Sequence, residues 1–161
     1  KNELAKLATK PQFAPIIFSI EEFVASISHL KKISAEEVLL TFYECYANLE
    51  GRDKKSLDEF LNWSETLLQD FNEIDRFLIP SESILTYLSQ IKELDHWSLD
   101  NDQTDIIKDY IKFWQKVPKY YEQLTETLIE RGVGYQGLIY REAVENIESY
   151  IESYINCQYC N

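Results

Sequence analysis

Between residues 57 and 78 apolar side chains recur every three or four positions, which is the period of one face of an α-helix. At about 100° per residue, Phe60, Trp63, Leu67, Phe71, Ile74 and Leu78 share one stripe. Glu73 and Arg76 lie well off that stripe, and Asp70 sits at its edge beside Trp63. Asp75 falls inside it, between Leu68 and Phe71. The same reading predicts further helices over residues 1–9, 20–30, 35–49, 82–95, 103–131 and 138–155. The helix over 103–131 repeats Ile107, Tyr110, Trp114, Val117, Tyr121, Leu124 and Leu128, a seam that packs along a partner helix. Pro118 lies within it, removes one backbone hydrogen bond and is expected to kink it.

Local start and stop signals agree with this map. Ser19–Glu22, Ser34–Glu37 and Ser56–Glu59 each read S-x-x-E, the reciprocal capping box of a helix N-terminus. Gly51 and Gly132 follow periodic stretches, where a left-handed residue closes a helix. One segment departs from the pattern. "FAPIIFSI", residues 13–20, places Ile16, Ile17 and Phe18 after Pro15 and reads as a short buried strand without an evident partner. The expected fold is all-α: an irregular bundle of about six helices with one kinked long helix, plus a short N-terminal helix–strand stub.

Composition narrows the function classes. The 161 residues are 45% hydrophobic with only 4 Gly and 4 Pro, which suits one domain of long elements with a real core. No apolar run approaches the roughly 18–20 residues of a membrane span, and no secretory leader is evident. Three cysteines without framework spacing favour a reducing, cytoplasmic setting. The chain contains no methionine, so a fragment of a longer protein is expected. Its net charge of −12 repels phosphate as a whole, and nucleic-acid contact would have to be local.

The candidate chemistry is sparse. A carboxylate within an apolar stripe must be paired or accept hydrogen bonds, so Asp75 is expected to be a structural buried polar group. Asp70 and Asp75 project about 140° apart on the helix and cannot grip one ion. "CQYC", Cys157 to Cys160, supplies half of a four-ligand zinc site. "ELDH", Glu93 to His96, is a single E-x-x-H where di-iron bundles use two plus further Glu. No P-loop is present. Lys108, Lys112, Lys116 and Lys119 fall within an arc of about 80° on one helix. That row could follow a phosphate backbone, although Asp105, Asp109, Glu122 and Glu126 stand near enough to neutralise it. No catalytic, cofactor or metal site is expected in this segment.

Several stretches in order are more specific. "KNELAKL…APIIFSIEEFV", "WSETLLQDFNEIDRFLI", "LDHWSL", "FWQKVPKYYEQL" and "ERGVGYQGLIYREAVENI" together resemble the N-terminal region of a bacterial family of AddB-like helicase–nucleases, within the PD-(D/E)XK nuclease superfamily. "DFNEID" and "GYQGLIYREA" are the most distinctive parts. The resemblance implies that residues 1–18 form the tail of a helicase-like α/β domain and that residues 19–161 form an inserted helical subdomain of the 1B type. It implies nuclease carboxylates far downstream and a role in processing broken double-stranded DNA. The implied partners are the rest of the parent chain, DNA reached through the parent and an AddA-like helicase subunit. An independent helical protein–protein interaction domain is the alternative.

Overall fold

The computed structural model describes residues 17–97 and 104–158. Among them are seven helices: α1 (Ile20–Ser28), α2 (Ala35–Glu50), α3 (Leu57–Arg76), α4 (Ser81–Trp97), α5 (Thr104–Glu130), α6 (Gln136–Glu145) and α7 (Ile147–Gln158). The fold is all-α, as the periodicity predicts. All three capping boxes form, with the Ser19, Ser34 and Ser56 hydroxyls accepting from the backbone amides of Glu22, Glu37 and Glu59. Each glutamate returns to the amide of its serine at 2.8–3.2 Å. Gly51 and Gly132 both take positive φ, but Gly51, with ψ −112°, is not in the expected left-handed helical conformation.

The structure departs from the sequence reading at four places. The predicted strand is not found where it is described: residues 17–19 are irregular and Ile20 already opens α1, because the Ser19 cap starts the helix there. The helix predicted over 1–9, and most of the 13–20 segment, lie outside the described residues. A two-residue parallel pair occurs instead between β1 (Lys31–Lys32) and β2 (Val133–Gly134). The amides of Lys31 and Ile33 donate to the carbonyls of Gly132 and Gly134 at 3.0 and 3.2 Å. The helix predicted over 138–155 is two helices broken at Asn146. Finally, Leu78 leaves the apolar stripe. α3 stops at Arg76, and Leu78 adopts a left-handed φ of 54° with its side chain exposed. Its amide bonds Asp75 O at 3.0 Å and that of Ile79 bonds Ile74 O at 2.9 Å, the Schellman closure that usually employs glycine.

α5 runs from Thr104 to Glu130 without interruption at Pro118. Proline has no amide and so cannot donate a backbone hydrogen bond at that position of the helix. The seam of α5 is buried at Val117, Tyr121, Leu124 and Leu128, while Tyr110 at its start is exposed.

The core lies between α2, α3, α5 and α6. Phe42, Phe60, Phe71, Leu124, Leu128, Leu138 and Ile139 are fully buried within it. Phe42 meets Phe60 and Phe71 edge-on, with ring centroids 5.1 and 6.0 Å apart, the arrangement favoured by the ring quadrupole. α6 approaches the backbone of α3 tightly at Gly137. A β-carbon there would stand 3.0 Å from the amide nitrogen of Arg76 and closer still to the carbonyl oxygen of Asn72. The Gly137 amide donates to Asn72 Oδ1 at 2.8 Å. Only glycine permits this approach.

Candidate functional site

Asp75 is completely buried, near the C-terminal end of α3. Tyr121 of α5 donates its hydroxyl to Asp75 Oδ1 at 2.5 Å, and Tyr135, just before α6, donates to Oδ2. Arg141 of α6 brings Nε to Oδ1 at 2.6 Å. Its Nη2 donates to the carbonyls of Ile74 and Ile79 at 3.1 and 2.6 Å. The guanidinium therefore neutralises the carboxylate and also bonds one carbonyl in the last turn of α3 and one in the segment that follows it, where the helix dipole favours a cation. One buried acid thus joins three helices and the turn after α3.

This arrangement fits a structural role for Asp75. Both carboxylate oxygens accept from donors, Arg141 supplies the counter-charge, and the group is closed to solvent. Asp70 is exposed on the other side of α3 and does not join it. The sequence reading placed Asp75 in the interior but did not find its partners. Arg141 was the available signal: it lies three positions after buried Leu138 and two before buried Ala143, where an unpaired guanidinium would be costly.

Burial and the neighbouring Asp75 carboxylate push the Tyr121 and Tyr135 hydroxyls well above the usual phenol range. Burial and Glu50 do the same for Tyr120. The folded state holds these protons more tightly than the unfolded chain, whose tyrosines titrate near ~10. Stability is therefore expected to be insensitive to these groups below that pH. Above it, the unfolded chain loses its protons first, and stability falls by up to about 1.4 kcal/mol per pH unit for each tyrosine. Urea titrations between neutral and strongly alkaline pH would measure the slope. Tyr135→Phe should make it shallower, and an unchanged slope would show that Tyr135 does not contribute.

The lysine row is partly engaged. Lys116 reaches across to Glu50 Oε2 at 2.6 Å, and Tyr120 donates to Glu50 Oε1 at 2.7 Å. Burial raises the affinity of Glu50 for a proton, but Lys116 and Tyr120 outweigh it and hold the carboxyl below its usual range. Lys112 pairs with Asp109 at 3.5 Å within α5, as the charge spacing suggested. Lys108 and Lys119 are exposed. The cross-helix partner Glu50 was not legible in the sequence, because it depends on how α2 packs on α5.

Among the described residues the remaining candidates do not assemble into a site. Cys45 is buried and donates to Thr127 Oγ1 at 3.4 Å, and burial pushes its thiol above the usual range, which makes it a poor nucleophile. The side chains of Glu93, His96 and Cys157, and the whole of Cys160, lie outside what the structure describes. Among the described residues no group of three His, Cys, Asp or Glu side chains could hold a metal ion. No helix among them is long and apolar enough to cross a membrane. A groove of about 570 Å³ opens between α2, α3 and the start of α6, lined by Ile33, Leu39 and Leu68 with Lys32, Glu36 and Glu65 among its polar residues. Lys32 Nζ there donates to Gln136 Oε1 at 2.8 Å, and the groove holds no nucleophile–base pair. No protein family, curated protein or solved structure matches the chain.

Proposed function

We propose that this chain is a non-catalytic helical subdomain of a helicase–nuclease-like protein of DNA double-strand-break repair, serving as scaffold, DNA guide or partner surface. One observation carries the reading. The two stretches most distinctive of the AddB-like resemblance, residues 70–75 and 134–143, are the two that interlock. Asn72 receives the amide of Gly137, and Asp75 receives Tyr135 and Arg141. Stretches that satisfy each other in the interior specify an architecture, and this agrees with a piece whose parent keeps its chemistry elsewhere. Of the three roles, scaffold is best supported, because Lys112 and Lys116 are engaged by acids and the net charge is −12. The second reading, an independent protein-interaction domain, is favoured by the apolar surface of α1, α6 and α7 described below.

The reading frame around this segment distinguishes the two. A frame continuing into downstream D…(D/E)-x-K carboxylates supports the first, and stop codons at both ends would remove it. For the isolated chain, duplex DNA is expected to bind no tighter than about 10⁻⁵ M at physiological salt, and more weakly as salt rises. Lys116 is unsuitable for testing the row because its loss would leave Glu50 without its cation. Lys112→Glu combined with Lys119→Glu should abolish residual binding in a gel-shift or anisotropy titration. Unchanged binding would show that the row has no DNA role.

A further inference from the structure

Among the described residues, an exposed apolar surface lies away from the Asp75 carboxylate, on α1, α6 and α7. Val24, Ile27, Tyr140, Ala143, Val144 and Ile147 line an almost wholly apolar groove of about 350 Å³. The apolar surface continues beyond it. Ile20 is 84% exposed, Val144 53% and Ile151 49%, and Ile151 lies one turn after Ile147 on the same face of α7. Phe23 meets Tyr150 edge-on with centroids 6.0 Å apart, linking α1 to α7. Exposed apolar side chains gathered around an apolar groove are the kind of surface that marks an interaction site.

On these three helices the exposed charges at the helix ends and along α7 are acidic. Glu21 on α1, Glu145 at the end of α6, and Glu148 and Glu152 on α7 are all exposed. α1 and α7 contain no Lys or Arg. The cation of α6, Arg141, is turned inward to Asp75. We propose that this face docks an amphipathic helix of another protein, with its apolar stripe in the groove and Lys or Arg along its flanks. An apolar groove taking one stripe of a helix is a recurrent recognition mode, and the acidic rim supplies the complementary charge. The same rim repels anionic lipid and nucleic acid. It also opposes a second copy, because a two-fold contact would set acid against acid. The inference rests on this surface alone and does not require the DNA-repair reading.

The test uses the full chain and a fluorescent synthetic peptide of about five helical turns, with leucine on one face and lysine elsewhere. Anisotropy should show saturable binding that weakens with salt. The exposed pair Glu148→Lys and Glu152→Lys, which does not touch the core, should weaken it by about tenfold or more, and Val144→Asp by a similar factor. Glu65→Lys with Glu73→Lys, on the opposite groove, should change it less than about twofold. A glutamate version of the peptide should not bind. Equal loss from both pairs of reversals would reduce the effect to general acidity and overturn the proposal. So would binding indifferent to Val144→Asp, or a dimer in sedimentation that Val144→Asp dissolves. Binding that appears only after residues 1–16 are removed would assign the face to the chain itself and also overturn it.

Discussion

Replacing Gly137 by alanine is expected to destabilise the fold by about 3 kcal/mol or more, at the upper end of the overpacking range. The reason is the identity of the atoms in the way. A β-carbon at 137 meets the backbone of α3, at Asn72 and Arg76, and a backbone within a packed helix cannot rotate aside as a side chain can. α6 would have to withdraw from α3, which would break the bond from the Gly137 amide to Asn72 Oδ1 and pull Arg141 away from Asp75. Gly134 provides the comparison. Its added β-carbon would first meet the Leu30 side chain at 3.3 Å, which can shift, so Gly134→Ala should cost less than about 1 kcal/mol. Urea unfolding followed by tryptophan fluorescence gives both values. Equal effects would mean that the α3–α6 approach is not constrained as described.

Asp75→Asn is expected to cost about 3–5 kcal/mol, the range for removing one partner of a buried ion pair. The asparagine fills the same space, but its amide group turns a donor toward donors. One of Tyr121, Tyr135 and Arg141 then loses its acceptor, and the guanidinium loses its counter-charge while only 16% of its side chain is exposed. The loss should be strongly non-additive with Arg141→Met, because the double variant removes both charges and leaves no cation stranded. A thermal melt of Asp75→Asn superimposable on the original would contradict the burial and bonding described for this carboxylate.

Much of the fold was legible in the sequence, because helix boundaries depend on residues within a few positions of one another. Ser19, Ser34 and Ser56 announce their helices through their own glutamates, and the stripe of α3 follows from its spacing. The conflict at Asp75 could also be located, since an acid inside an apolar stripe is visible on a helical projection. Its resolution could not be, because Tyr121, Tyr135 and Arg141 lie 46 to 66 positions away and converge only through packing. The pairing of β1 with β2 was equally hidden, as two-residue strands carry no period. Leu78 misled the pattern because the helix ended before the apolar repeat did.

The parallel pairing of Lys31 with Val133 has a consequence for the order of assembly. Residues near the start of the described chain find their partners near its end, and α6 completes the packing of both α1 and α3. During synthesis the earlier helices can form and touch, but the cleft that receives α6 stays open until residues 133–145 leave the ribosome. Closing a connection of about a hundred residues adds an entropic barrier that local helix formation does not face. Between the emergence of α3 and that of residues 133–145 the nascent chain therefore carries uncovered apolar surface, and the interlock between Asn72 and Gly137 cannot form before α6 is free.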